Sequence, residues 1–451
     1  MESRDSNLML SDRLHSNKMV RIVGLLKEPN YRHYLKSCFY KLIGWTDGAD
    51  IETRRALAHF DYLNKLFLVS LCGGQKQEYG KPITRKVWIS NWIIRIVILS
   101  TFIRTNLFLY FHGCHQMDLY LANPLSNATR SKKIVFFIYF DVTLLILSGL
   151  REYCHYIERS SVLVPFRIFF NIRKHGVKWK PLRLNMRHSK LFNKACYFII
   201  TNGTRISVFI CFYSALLIFG IRLYFSNYST LLHIIFILLF TAFEITMMVT
   251  CITLLVSLGV YLMALIAFFN AQADTIIDEI QDSLRKVPLS PQELRQVNGK
   301  VIQFLNNIEK TYLRLNYLYL YLEVFIAFEV DLVLFLVLFT DSLLSTSFIA
   351  SIFVVGSLLI HAFLVIGNYW ASRYHTKTLS IHGYYTGLIL NTKTICSAQF
   401  KALEVQDRIN GNKTGIAIGD FCLITPAFSL IFILENINFI MLLAVNVKTM
   451  I

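Results

Sequence analysis

Apolar residues in this chain fall in long blocks. Seven predominantly apolar stretches, 88–111, 134–150, 196–222, 231–269, 312–340, 347–370 and 416–447, are separated by segments that carry most of the charge. About 20 apolar residues in helical form cross the roughly 30 Å of hydrocarbon in a bilayer, because only a helix satisfies its own backbone there. The pattern predicts an all-α polytopic membrane protein with seven transmembrane helices over 88–447, preceded by an N-terminal segment of residues 1–87. The first 30 residues hold no apolar core behind a basic start, so the N-terminus is expected to stay in the cytoplasm.

The fourth stretch is longer than a membrane requires. Its 39 residues make a helix of about 58 Å, nearly twice the hydrocarbon thickness and more than tilt absorbs. It is expected to run on through Ile276, Ile277, Ile280 and Leu284, which share one helical face. After Pro288 and Pro291 a second stripe, Ile302, Leu305, Ile308 and Leu315, returns. Two such faces predict a cytoplasmic helical bundle that anchors the inner ends of the spans.

Composition narrows the class. Hydrophobic residues make up 55% and charged residues 16%, and the mean hydropathy is +0.48. An ordinary soluble domain has about 25% charged residues, and disorder needs low hydrophobicity, so both are excluded. The net charge of +18 does not form the basic, aromatic-interleaved stripe of a nucleic-acid binder. It reports orientation instead. With the N-terminus inside, 37 of the 46 Lys and Arg fall in inner segments and four in outer ones, which predicts N-in and C-out. Seven-span receptors that couple to G proteins have the reverse orientation. The sequons at Asn127 and Asn227 fall in outer segments and are the expected glycosylation sites, whereas those at Asn202 and Asn412 fall within a span or inside.

Enzyme chemistry finds no support. Nine cysteines include no Cys-x-x-Cys pair. The set His112, Cys114, His115 and Asp118 matches no standard metal spacing, and there is no Gly-rich phosphate loop, His-Glu-x-x-His or Gly-x-Ser-x-Gly. No cofactor, metal or catalytic residue is expected. An intramembrane enzyme or carrier would need a constellation or an internal repeat, and neither is visible.

The spans do carry costly charges. A charge at the middle of a membrane helix costs about 2.5–3.5 kcal/mol on the insertion scale, so each needs a partner or water. Arg104 and Asp141 each lie seven residues below the outer end of their span, about 10 Å deep, which makes them an expected ion pair. On the seventh span Glu435, Asn438, Leu442 and Val445, spaced by 3, 4 and 3 residues, form one stripe.

At this point the chain resembles the insect gustatory receptors, which with the insect odorant receptors are seven-span, N-in, ligand-gated cation channels. The resemblance covers almost the whole length: the pre-span segment from Phe60 to Gly74, the short second outer loop Tyr224 to Thr230, and the very long fourth helix. The odorant branch usually has a longer second outer loop, which favours the gustatory branch. In the seventh span Gly419-Asp-Phe421 resembles the start of the family motif, and Asn438-Phe439 followed by Ile440 to Ala444 occupies its Thr-Tyr and apolar positions. Val445 and Asn446 stand where the family has Gln and Phe.

The resemblance implies a homo- or hetero-tetramer in the plasma membrane of chemosensory neurons, contacting lipid, with a pore lined by the last helix. Glu435, Asn438, Leu442 and Val445 are then the pore and gate residues, since an acidic ring favours cations and apolar rings gate by dewetting. It also implies a small tastant bound among the outer halves of helices two to six, where Asp141, Glu244, Glu329, Asp331 and His361 are the pocket candidates. A bitter or deterrent ligand follows by elimination, because sugar receptors have a fuller seventh-span motif. The orientation is testable by glycosylation mapping: Asn127 and Asn227 are expected to be modified, and a sequon placed within the first 50 residues is not.

Overall fold

The computed structural model describes residues 40, 44–45, 50–67, 69, 85–111, 114–125, 129–159, 167–177, 182–225, 231–286, 290–339, 347–391, 397–410 and 415–450. The expected sites Asn127 and Asn227, as well as His112, lie outside the described residues. The elements in order are α1 (Asp50–Leu66), α2 (Arg85–Tyr110), α3 (His115–Tyr120), α4 (Arg130–Arg159), α5 (Arg167–His175), α6 (Met186–Phe225) and α7 (Leu231–Leu284). They continue as α8 (Pro291–Leu320), a π-helical turn (Tyr321–Ile326), α9 (Ala327–Phe339), α10 (Ser347–Leu390), α11 (Ser397–Asn410), the strands β1 (Ala417–Ile418) and β2 (Cys422–Leu423), and α12 (Pro426–Met450).

The expected membrane architecture is largely met. Among the described residues six helices, α2, α4, α6, α7, α10 and α12, are long and apolar enough to cross a membrane. The protein is a multi-pass, nearly all-helical membrane protein. The fifth expected span, 312–340, is not one apolar helix. It runs through the end of α8, the π-turn and α9, and α9 alone has 13 residues.

Several helices overrun the expected spans. α7 has 54 residues, α10 has 44 and α6 has 40. Their extensions build a large core, on the side expected to face the cytoplasm and called inner below, together with α1, α5, α8 and α11. α7 is its axis and packs most extensively on α6 and α10. The stripes anticipated on α7 and α8 are buried there, with Ile276, Ile280, Leu305, Ile308 and Leu315 all inside. Aromatic rings interlock the same layer: Tyr312 and Tyr374 lie 5.9 Å apart and Phe269 lies 5.9 Å from Tyr312.

Local chemistry fixes the ends. Ser290 caps α8, its hydroxyl accepting from the Glu293 N–H at 3.2 Å while Glu293 accepts from the Ser290 N–H at 3.1 Å, with Pro291 in the first turn. Those bonds from Ser290 hold the Glu293 carboxyl below its ordinary value. On the inner flank Arg173 of α5 grips Asp61 of α1 through two bonds of 2.5 and 2.6 Å, and Tyr261 of α7 donates to the same carboxylate at 2.9 Å.

The seventh expected span starts late. Residues 416–425 form a small antiparallel hairpin instead of the first turns of a helix, and α12 begins at Pro426. Gly419 takes φ +55° at the turn, a conformation glycine adopts at no steric cost, and the turn is pinned to α8. The Gly419 N–H donates to the Asn316 carbonyl at 2.9 Å, and the Tyr317 hydroxyl donates to Asp420 at 2.8 Å.

α6 and α7 pack tightly at Gly203. A Cβ on Gly203 would fall 2.2 Å from Cγ2 of the buried Val260. Gly203→Ala gains about 1 kcal/mol of helix propensity but overpacks this contact, typically a loss of about 1–3 kcal/mol. A net fall in melting temperature of the detergent-solubilised protein is expected. An unchanged or raised value would show that the two helices have room to separate.

Candidate ligand site and pore helix

The half of the molecule expected to face outward, called outer below, is packed differently from the inner half. Its own core is small, centred on Phe108, Leu125, Phe137, Val333 and Leu336, with Tyr139 and Phe136 of α4 only partly buried beside it. Into this region the helices bring almost every ionisable side chain singled out in the sequence.

Arg104 does not pair with Asp141. It bonds to Glu244 of α7, and Arg222 of α6 grips the same carboxylate at 2.8 and 3.2 Å while donating to the Ala122 carbonyl at 3.1 Å. The Arg104 guanidinium also lies over the Phe240 ring at 4.4 Å, a favourable cation–π distance. Arg104, Arg222 and Glu244 are 3%, 2% and 7% exposed, so this is a buried three-way charge cluster joining α2, α6 and α7. Asp141 instead accepts from Thr105, and from Asn106 at 3.1 Å. Equal depth was the wrong guide. Successive residues on a helix point about 100° apart, so Arg104 faces α7 while Thr105 faces α4 at nearly the same height.

The remaining candidates divide over other interfaces. Glu329 of α9 accepts from Thr143 of α4 and lies against the Tyr139 hydroxyl. Asp331, two residues on and on another face, meets His361 of α10 at 3.0 Å. The five expected pocket residues therefore do not converge on one cavity. They occupy four helix interfaces, and Glu244 is committed to two arginines. A shallow depression along Phe102, Asn106 and Tyr110 is lined by α2 alone.

Sequence reasoning did not reach several of these partnerships. Arg222 was visible as a charge within a span, but it lies three residues from the end of α6 while Glu244 lies thirteen from the start of α7, so no depth argument joins them. Thr105 and Thr143 carry no charge and gave no signal. Glu323, held by Asn368 of α10 at 2.9 Å, sits inside the π-turn, which has no distinctive composition.

α12 presents two faces. Ser429, Phe432 and Ala444 are buried, and Phe439 contacts Phe328 of α9 at 5.8 Å. Glu435, Asn438, Leu442 and Val445 all lie on exposed positions, as one stripe. Only 11% of the apolar stretch of α12 is buried by its own chain, against 78% for α7.

No family model matches the chain, and no curated protein sequence does. Solved structures do match. The insect olfactory receptor OR5 from Machilis hrabei in complex with eugenol aligns with a TM-score of 0.59 at 12% identity, over 86% of this chain and 98% of that one. A second structure of the same receptor aligns at 0.58, with the same identity and coverage. The chain thus has the fold of an insect olfactory receptor over nearly the whole of that receptor's length.

The charge cluster is testable apart from any function. Glu244→Gln leaves two buried guanidinium groups facing a neutral amide, and breaking a buried pair in this way costs about 3–5 kcal/mol. A large fall in melting temperature is expected for Glu244→Gln and a small one for Asp141→Asn, whose partners are neutral; equal effects would contradict the assignment.

Proposed function

We propose that this protein is a chemosensory receptor of the gustatory branch, acting as a ligand-gated, non-selective cation channel in the plasma membrane of sensory neurons. The observation that carries the reading is the uncovered face of α12. A carboxylate and an amide, Glu435 and Asn438, stand exposed on a helix otherwise apolar enough to span a bilayer. Lipid is a poor neighbour for a carboxylate, at a cost of about 2.5–3.5 kcal/mol near the membrane centre. A water-filled axis shared by several copies, four by resemblance, removes that cost and places Glu435 and Asn438 below an apolar constriction of Leu442 and Val445.

The fold of OR5 supports a chemosensory receptor, and the complex of that receptor with eugenol supports a small organic ligand here. The seven-residue second outer loop favours a taste receptor over an odorant receptor. The charge distribution supports a cytoplasmic N-terminus and an outward C-terminus, which argues against G-protein coupling. No constellation supports an enzyme. The ligand is read as a bitter or deterrent compound, bound in the loosely packed outer half.

Whole-cell recording from the chain expressed alone, with a tastant panel and no added G protein, tests this. A ligand-evoked cation current is expected. Glu435→Gln is expected to lower divalent permeability or conductance, and Leu442→Asn to leak without ligand, because a polar ring stays wet. Silence of the wild type at full surface expression, or no change in permeation with either variant, would count against the reading.

A further inference from the structure

We propose that Ser290, at the turn between α7 and α8, is a phosphorylation site for a proline-directed protein kinase, through which the cell adjusts this receptor from inside. The inference rests on the cytoplasmic placement of the inner half in the reading above and adds a regulatory input to it.

Of the eight prolines in the chain, two directly follow a Ser or Thr, at Ser290-Pro291 and Thr425-Pro426. Thr425 is partly buried at the foot of α12, where its hydroxyl accepts from the Phe428 N–H at 3.2 Å. Ser290 stands in the open. It and the next two residues, Pro291 and Gln292, are exposed where α8 turns back from α7. The sequence there reads Arg285-Lys286-Val287-Pro288-Leu289-Ser290-Pro291, so a proline also stands two positions before the serine. Proline has no N–H, so an enzyme that grips the backbone after the serine rejects this site, and one that reads the ring selects it.

The backbone has a form that such an enzyme takes. A residue before proline is kept out of the helical region, and Ser290 is extended, with φ −76° and ψ 149°. An extended Ser-Pro step at an exposed turn enters a kinase cleft without unwinding a helix. The hydroxyl is engaged with Glu293 alone, donating to its carboxylate at 2.9 Å and accepting from its N–H at 3.2 Å, both at the surface. A cap is worth about a fivefold shift in the local equilibrium, so release of the hydroxyl is frequent.

In the reaction the Ser290 oxygen attacks the terminal phosphorus of a nucleoside triphosphate. An O–P bond forms, the bond to the bridging oxygen breaks, the nucleoside diphosphate leaves, and the hydroxyl proton passes to the carboxylate base of the kinase. The product carries a charge of about −1.5 to −2 beside the Glu293 carboxylate. Like charges do not share the cap, so Glu293 is expelled. The phosphate inherits the N–H groups of the first turn of α8, and Lys286, whose charge already acts on the Glu293 carboxyl, becomes its partner. A cap within α8 thereby becomes a charge-assisted link between the end of α7 and the start of α8.

The test begins with purified full-length protein in detergent, where both sides are accessible, incubated with magnesium, ATP and either a proline-directed or a basophilic kinase. Intact mass and fragment spectra are expected to show one phosphoryl group per chain from the proline-directed kinase, on Ser290. Ser290→Ala is expected to abolish it and Ser290→Thr to retain it. Pro291→Ala, which keeps the hydroxyl, is expected to slow it at least tenfold. An unmodified Ser290 in the folded protein, when a peptide of residues 283–297 is modified, would overturn the proposal, as would equal rates for the wild type and Pro291→Ala. In cells the Ser290 phosphopeptide is expected to disappear when the kinase is inhibited. Its absence from untreated cells would overturn the regulatory use, and glycosylation of a sequon near the N-terminus in the same cells would trace that failure to the orientation rather than to the motif. In recordings, the half-activating ligand concentration is expected to differ at least twofold between the wild type and Ser290→Ala; equal values would refute regulation. A modified chain that carries no current would refute the channel and leave Ser290 standing as a kinase substrate.

Discussion

A helix of 54 residues is about 81 Å long, and no bilayer hides more than about 30 Å of it. α7 must therefore leave the membrane and be covered by protein for most of its length. The rest of the molecule is arranged to do that. α6 and α10 are themselves extended and lie along it, α8 returns beside it, and α1 and α5 close its inner flank through Asp61, Arg173 and Tyr261. Even the single buried charge on its membrane part, Glu244, is answered by arginines from two other helices.

This axis divides the protein into a tightly filled inner half and a sparser outer half. The inner core is dominated by aliphatic and aromatic side chains in contact from ten helices and the hairpin. The outer half has a small apolar core and relies on polar pairs spread over separate interfaces. Packed cores resist deformation, whereas interfaces held by a few directional bonds exchange partners at lower cost.

What was legible in the sequence follows from which physical rules act locally. Blocks of apolar residues long enough to cross a membrane announce themselves, and so do the stripes of α7 and α8, because helical period and burial are written in neighbouring residues. Partnerships between helices are not. Arg104 had a depth but no azimuth, and Arg222 had neither a depth nor an azimuth that pointed at Glu244. The hairpin before α12 was hidden by its own composition: Ile416, Ile418 and Ile424 are apolar because they dock on the inner core, which mimics a continuing span. Gly419 and Pro426 were the visible signs of the break, outweighed by that apolar run. The stripe on α12 is local in the same way: helical spacing puts Glu435, Asn438, Leu442 and Val445 on one face, and all four lie at exposed positions.

The π-turn alters how the fifth span compares with those of other proteins. A π-turn accommodates one residue more than the surrounding α-helix needs, so a helical wheel drawn straight through 312–339 misplaces everything beyond Ile326 by about 100°. It also makes Tyr321–Ile326 the one stretch of this span where chain length can change by a residue without turning Glu329 away from α4 or Asp331 away from α10. Anywhere else along the helix, the same change would rotate both. Relatives with one residue fewer in this span are thus expected to carry the gap here, and to show an uninterrupted α-helix in its place.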